Sequence, residues 1–284
     1  MTTMSVDKTT VRVGGVASKA WGIYRTNTNT MLLLAAAMVV PAYVIIALLL
    51  GFAAPEGFFE TTETELRSQS FDKGWTGGAF VTFGGAAFVG AIVAIIATLL
   101  ATGACFKVIQ EVYAGRTAHW RVSLAAARGR LGPLMWLALI SGVLLLLAFL
   151  ALVIPGIYLW VAWSVAVPVL MTEDLRGIKA LSRSRGLIKG TWWPAFGVLL
   201  VGAVVSIAVS MVLGLIFQTG ADEPSLGEGL TMGTLQEMVT QIIVLPFVAS
   251  LAGVLYFELR RIKETGEGLP PGGVTPPPAA PPSA

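Results

Sequence analysis

Long stretches without a charged residue limit what this chain can fold into. Residues 131–172 contain no Asp, Glu, Lys or Arg over 42 positions. A helix needs about 20 residues to cross the hydrocarbon core of a bilayer, so this stretch alone has room for two crossings. Charged residues are only 12% of the chain, whereas a soluble domain carries about 25%. The sequence therefore predicts an integral membrane protein.

The uncharged stretches predict six transmembrane helices. Their continuous apolar character favours helices over the strands of an outer-membrane barrel, in which polar and apolar residues alternate. Pro155 and Gly156 predict the turn that divides the longest stretch. The six predicted spans are 31–53, 80–105, 134–154, 157–172, 195–217 and 238–257.

Basic residues are concentrated on one predicted side of the membrane. With six spans, 17 of the 19 Lys and Arg residues lie in the two terminal segments and in the connections after spans 2 and 4. The opposite side has only Arg67 and Lys73, together with most of the acidic residues. Because cytoplasmic loops are enriched in Lys and Arg, we expect both termini in the cytoplasm.

A basic stretch with helical spacing precedes each odd-numbered span. Before span 5 an apolar stripe and a basic stripe share one predicted helix; they comprise Leu175, Ile178, Leu181 and Ile188, and Arg176, Lys179 and Arg183. These are the spacings of a helix that lies in the membrane interface. We expect an all-α membrane protein of three two-span hairpins, each preceded by a basic interfacial amphipathic helix. Its parts are a cytoplasmic segment (1–30), a membrane domain (31–264) and a disordered Pro-rich cytoplasmic tail (265–284).

The sequence shows no residue set for catalysis or metal binding. Cys105 is the only cysteine and His119 the only histidine, so we expect no metal site, no cofactor and no catalytic residue. No ionisable residue lies in the central part of a predicted span, which argues against an ion-coupled transporter. Pro41, Pro168 and Pro246 lie within spans, and the kinks they predict leave open a transporter or lipid flippase with a cavity.

Span 5 carries a stripe of small residues spaced four apart, consisting of Gly202, Ser206, Ser210 and Gly214. Such stripes allow helix backbones to approach closely in a membrane. We interpret the stripe as a helix-packing surface; a groove for a lipid chain is the alternative.

Two stretches resemble a known family of membrane domains. One runs from Ile154-Pro-Gly through Glu173 to Trp192-Trp193 and includes Ala180-Leu-Ser-Arg-Ser. The other is Leu255-Tyr-Phe-Glu-Leu-Arg-Arg together with Lys263-Glu264. Together they resemble the membrane domain that is fused to some bacterial glycerophosphodiester phosphodiesterases, and its stand-alone relatives of unknown function. The resemblance covers chiefly residues 134–264 and implies a six-helix domain in the bacterial plasma membrane. In the fused proteins the hydrolysis belongs to a separate soluble barrel domain, so we expect no enzymatic activity in this chain.

The resemblance singles out Glu173, Arg183, Ser184 and Arg185, and Lys189 follows one turn later. One interpretation is a structural clamp, in which the acid and an arginine tie the interfacial helix to the end of span 4. The other is a phosphate head-group site formed by Arg183, Arg185 and Lys189. We therefore expect a lipid-interacting scaffold or accessory protein in envelope maintenance. Its expected partners are the phospholipid bilayer, anionic lipid in particular, and a membrane or cytoplasmic protein, but no nucleic acid.

Overall fold

A computed structural model describes residues 11–54, 77–217 and 225–265. All regular structure in these residues is helical, and the prediction of an all-α fold is confirmed for them. The helices are α1 (Val13–Thr26), α2 (Thr28–Ala53), α3 (Gly77–Tyr113), α4 (Trp120–Gly129), α5 (Leu131–Ala151), α6 (Val153–Ala162), α7 (Ala166–Glu173), α8 (Ile178–Ile188), α9 (Trp192–Phe217) and α10 (Leu226–Thr265). Nearly all of the connection between predicted spans 1 and 2, and of the predicted Pro-rich tail, lies outside the described residues.

Six helical segments are long and apolar enough to cross a membrane. Each overlaps one predicted span; the segments are Thr28–Ala53, Val81–Tyr113, Leu131–Ala151, Val153–Glu173, Trp192–Phe217 and Glu228–Glu264. Large apolar side chains such as Phe52, Leu150 and Leu215 are exposed on their outer surfaces. Soluble monomers rarely expose extended apolar surface, so these helices are those of a multi-pass membrane protein.

Two helices extend well beyond the predicted spans. In α3, Lys107 and Glu111 form an i, i+4 ion pair at 2.9 Å, so these charges continue the helix rather than end it. Residues 225–237 fall in the connection between predicted spans 5 and 6, but α10 already begins there, at Leu226. There the Ser225 hydroxyl accepts a hydrogen bond from the Glu228 N–H, and the Glu228 carboxylate accepts one from the Ser225 N–H, both at 3.2 Å. This reciprocal capping box explains where the helix begins.

The turn between spans 3 and 4 lies at Leu152, so the predicted position at Pro155 and Gly156 was wrong. Leu152 is extended (φ −162°, ψ 141°) between α5 and α6. Pro155 lies in the first turn of α6. Backbone N–H groups there have no acceptor within the helix, so proline loses no hydrogen bond at this position. Gly156 lies against Phe149, and a Cβ added to it would stand 2.5 Å from the phenyl ring. The glycine therefore serves close packing of the two helices rather than chain reversal.

The fourth span, predicted over 157–172 with a kink at Pro168, consists of two separate helices. α6 ends at Ala162 and α7 begins at Ala166. Pro168 has no N–H to bond the carbonyl of Ser164, which favours a break before it. By contrast, α2 and α10 run without interruption through Pro41 and Pro246.

α10 is the central helix of the described structure. It packs against α1, α2, α3 and α9. In its most apolar stretch 61% of the residues are buried, against 11–44% in the other five spans. Its last turns reach α8, where the candidate site lies.

Candidate functional site

Five charged and hydroxyl side chains from three helices form one connected group, called here the polar cluster. It comprises Glu173 of α7, Arg183 of α8, and Tyr256, Arg260 and Glu264 of α10. Arg183 donates from Nε to Glu173 Oε2 at 2.8 Å and from Nη2 to Glu264 Oε1 at 2.9 Å. The Tyr256 hydroxyl donates to Glu173 Oε1 at 3.0 Å, and Arg260 Nε donates to Glu264 Oε2 at 2.9 Å.

The backbone between α7 and α8 places Glu173 and Arg183 side by side. Asp174 ends α7 in the left-handed region at φ 54°. Gly177 follows with φ 54° and ψ −127°, a conformation that only glycine adopts readily. The Gly177 backbone also lies close to Trp136. A Cβ added to Gly177 would stand 3.1 Å from the indole ring. This turn brings α8 against α7.

The interactions within the polar cluster differ in strength, because the side chains differ in burial. The Glu173 side chain is 16% exposed and that of Arg183 is 34% exposed. Hydrogen bonds to charged groups in such surroundings contribute about 1.5–3 kcal/mol. The Arg260–Glu264 pair is more exposed, and exposed pairs contribute about 0–1 kcal/mol. The hydrogen bond to Glu173, followed by the interaction with Glu264, raises the pKa of Arg183.

Arg185 and Lys189 lie apart from the polar cluster. Both side chains are exposed, and neither has a hydrogen-bond or ion-pair partner of its side chain among the described residues. The structure thus brings Glu173 and Arg183 together and separates Arg183 from the two cations with which it was predicted to bind a head group. The backbone carbonyl of Lys189 accepts a hydrogen bond from Lys263 Nζ at 2.8 Å, which fixes the end of α8 to α10.

Ser184 points into the break between α6 and α7. Its Oγ donates to the carbonyl of Ala162 at 2.8 Å. That carbonyl is available because the N–H of Ala166, its partner in a continuous helix, bonds Trp163 instead at 3.0 Å. Ser184 is buried, so it has a structural position rather than one facing a ligand.

Replacing Ser184 by alanine is expected to lower the free energy of unfolding by about 1–3 kcal/mol. The substitution leaves the Ala162 carbonyl buried without a donor. Thermal unfolding of the purified protein in detergent, followed by tryptophan fluorescence, measures the change. Ser182→Ala is the matched control, because Ser182 lies on the exposed face of α8. Equal melting temperatures for the two variants would contradict the assigned role of Ser184.

The small-residue stripe of α9 faces α10. An added Cβ on Gly202 would lie 3.2 Å from Leu251, and Gln236 donates to the carbonyl of Ser210 at 3.1 Å. Ser206 bonds its own helix, to the carbonyl of Gly202 at 2.8 Å, and Gly214 is buried. This arrangement suits close helix packing.

Sequence reasoning missed several residues that fix the site, chiefly Tyr256, Arg260, Lys263 and Glu264. All four belong to the second stretch that carried the family resemblance, but nothing in the sequence linked them to Glu173. It also missed Arg130, whose Nη1 donates to the carbonyl of Leu170 at 2.6 Å and lies 3.2 Å from Asp174 Oδ1. Within the described ranges there is no group of three or more His, Cys, Asp or Glu side chains that could hold a metal ion.

Comparison with known proteins adds one finding on residues that surround the site. Residues 133–261 match a family model described as a domain of unknown function, DUF8558. The match includes Glu173, Arg183, Ser184 and Tyr256, and ends before Glu264. No curated protein and no solved structure matches the chain.

Proposed function

We propose that this protein is a non-enzymatic, multi-pass component of the bacterial plasma membrane that holds anionic phospholipid at its basic cytoplasmic face. In this proposal it serves as a scaffold or accessory in envelope maintenance. The observation that carries the proposal is that the cationic side chains of α8 and its C-cap have different surroundings. Arg183 is bonded to two carboxylates, whereas Arg185 and Lys189 are exposed and have no partner in the described part of the chain.

The outer face of α8 supports binding at a lipid surface. Ile178 is 69% exposed on this face, and Lys179 and Arg185 are exposed beside it. Just past the helix, Trp193 is 74% exposed. Apolar side chains flanked by cations are typical of a helix in the membrane interface. Each Lys or Arg near an anionic surface contributes about 1 kcal/mol to binding.

We further propose that the chain repeats one unit three times. The pairs α2 and α3, α5 and α6, and α9 and α10 pack against each other. A shorter helix precedes each pair, namely α1, α4 and α8. In the proposed topology these three helices lie on the cytoplasmic side with both termini.

Changing Arg185 and Lys189 together to alanine is expected to weaken retention of anionic phospholipid. Loss of two charges corresponds to about 2 kcal/mol, or roughly thirty-fold in affinity. The protein is purified from native membranes in mild detergent, and bound phospholipid is quantified by mass spectrometry and total phosphorus.

Arg183→Gln is the matched control on the same helix. It is expected to lower the melting temperature, because Glu173 loses its partner, while the folded fraction keeps its lipid. Arg185→Lys, which preserves the charge, should retain lipid as the unaltered protein does. Full lipid retention in the double alanine variant would contradict the proposed function, as would turnover of glycerophosphodiesters by the purified chain.

A further inference from the structure

The short helices α1, α4 and α8 pack in an order that differs from their order in the chain. Each of them leads into a pair of spans, but its main contacts are with another pair. α4 packs chiefly against α3 and α2, and α8 packs chiefly against the second pair, α5 with α6 and α7. α1, the first of the described helices, packs chiefly against α10 and α9, the last pair. If the three pairs are taken as a cycle, each short helix lies on the pair one step earlier.

α4 and α8 both run back along the helix that precedes them. Ala127 lies near the end of α4, and its Cβ is 3.5 Å from a Cβ added to Gly103, well before the end of α3 at Tyr113. Ser184 of α8 reaches the carbonyl of Ala162, which comes before the whole of α7. Each of these two short helices therefore reverses direction and covers the preceding helix.

α1 runs in the same direction along α10. The charge of Glu258, close to the end of α10, acts on Lys19. About one turn later in α1, the Tyr24 hydroxyl donates to the carbonyl of Ile243 at 3.3 Å. The Tyr24 ring also lies edge-on to Phe247, with the two ring centroids 6.0 Å apart. α1 thus lies against α10 as α4 lies against α3.

The backbone at the end of α1 repeats the backbone at the end of α4. A single residue joins each of these helices to the span that follows. Asn27 has φ −113° and ψ 20°, and Arg130 has φ −113° and ψ 12°. Both residues depart from helical ψ in the same way, so the chain bends alike at the two positions. α8 is joined to α9 by a longer connection, residues 189–191.

The inner face of α1 is covered by protein. Val16 and Ala20 are 0% exposed, and Ile23 is 9% exposed. Val13 lies against Gly197 of α9, where an added Cβ would stand 2.9 Å from a Val13 methyl carbon. A helix held by the bilayer alone buries its apolar face in lipid, so that face would not be covered by the chain itself.

An acid on a span and a cation on a short helix also recur in the same relation. In the second pair, Glu173 of α7 binds Arg183 of α8. In the last pair, Glu258 of α10 is 5% exposed, and Lys19 of α1 is half-buried nearby. The Lys19 Nζ lies 5.2 Å from the centroid of the Tyr113 ring, within the range of a cation–π interaction. Burial lowers the pKa of Lys19, and the negative charge of Glu258 opposes that decrease.

We infer that α1 is the interfacial helix of the last pair of spans and acts as a strap, which joins the first pair to the last and closes a ring of three packing units. Each unit is a pair of spans with the short helix that covers it, and the third unit takes its helix from the other end of the described chain. The inference rests on the threefold repeat in the proposed function. It does not depend on lipid binding at α8, which the Arg185→Ala/Lys189→Ala variant tests separately.

A disulfide between α1 and α9 tests the strap in native membranes. A Cβ added to Gly197 would stand 3.9 Å from the Val13 Cβ, and disulfides need a separation of about 3.5–4.5 Å. Val13→Cys/Gly197→Cys should therefore form a disulfide within one chain on mild oxidation, whereas Gly14→Cys/Gly197→Cys, with Gly14 exposed, should form little. Cys105 is buried and does not compete. A yield no higher than that of the Gly14 control, or a disulfide that links two copies, would overturn the inference.

Thermal unfolding of the oxidised variant in detergent tests whether the strap holds the fold together. If α1 detaches only when the whole protein unfolds, the disulfide should raise the melting temperature by several degrees, and reductant should reverse the rise. An unchanged melting temperature would show that α1 detaches independently and would overturn its role as a strap.

Substitution of Lys19 distinguishes a docked helix from one attracted only by lipid charge. Lys19→Gln should lower the melting temperature, because Glu258 and Tyr113 lose a neighbouring cation. Arg12→Gln is the matched control, since Arg12 is exposed at the start of the same helix, and it should leave the melting temperature unchanged. A helix held by lipid charge would respond equally to both substitutions, and equal effects would contradict the strap.

Discussion

The variant Glu173→Ala is expected to lose about 3 kcal/mol of unfolding free energy. The substitution removes the acceptor of both Arg183 and Tyr256. Arg183 then keeps only its contact with the more exposed Glu264, and a half-buried cation without a close partner is unfavourable. Because the Arg183 side chain is 34% exposed, water compensates part of the loss, and the estimate is placed at the low end for broken ion pairs. Equilibrium unfolding by dodecyl sulfate in mixed micelles measures the difference.

Glu264→Gln is the control for this prediction. It removes a charge that contacts the same arginine, but from the exposed side of the polar cluster. Exposed ion pairs contribute about 0–1 kcal/mol, so this variant should unfold close to the unaltered protein. If Glu173→Ala were no more destabilising than Glu264→Gln, the assignment of the stronger interactions of the polar cluster to Glu173 would be wrong.

A second large effect is expected from Gly177→Ala, with a loss of about 3 kcal/mol. Two costs add at this position. The backbone at φ 54° and ψ −127° is strained by about 1–3 kcal/mol for a residue with a Cβ. The new Cβ would also meet Trp136 at 3.1 Å, which forces the ring or the turn to move. The same unfolding titration applies.

Alanine variants at two other glycines distinguish the backbone strain from the steric clash. Gly190→Ala meets a left-handed backbone at φ 89°, but only Lys263 Nζ stands nearby at 4.0 Å, so it should show the strain alone. Gly186 lies within α8 with open space around its Cα. Alanine is the better helix former there by about 1 kcal/mol, so Gly186→Ala should stabilise the protein. Any other order of the three variants would contradict this account of the α7–α8 turn.

The overall fold was predictable because its strongest signal is local. An uninterrupted apolar stretch of sufficient length is enough to place a span, and all six predicted spans overlap apolar helices. The start of α10 was also predictable in principle from the capping pair Ser225 and Glu228, but these residues fall in the connection between predicted spans 5 and 6. The break in the fourth span was harder to predict, because the span breaks just before Pro168, whereas α2 and α10 continue through Pro41 and Pro246. The residues alone do not distinguish these three prolines.

The candidate site was only half predictable. The pairing of Glu173 with Arg183 spans ten residues and was one of two interpretations of the same stretch. The choice between a clamp and a head-group site depended on Tyr256 and Glu264, which are 83 and 81 residues away from their partners. Contacts between residues so far apart in the chain produce no periodic pattern in the sequence. The different surroundings of Arg183 and Arg185, two positions apart, follow from the same distant contacts.

The fixing of α8 along one side has a consequence for whatever binds on its other side. Arg183 is held by Glu173, Ser184 by Ala162, and the end of the helix by Lys263. Rotation of α8 about its axis would break all three hydrogen bonds together. Arg185 and Lys189 are therefore carried by a backbone whose orientation is already set before a ligand arrives, so little backbone entropy is lost on association.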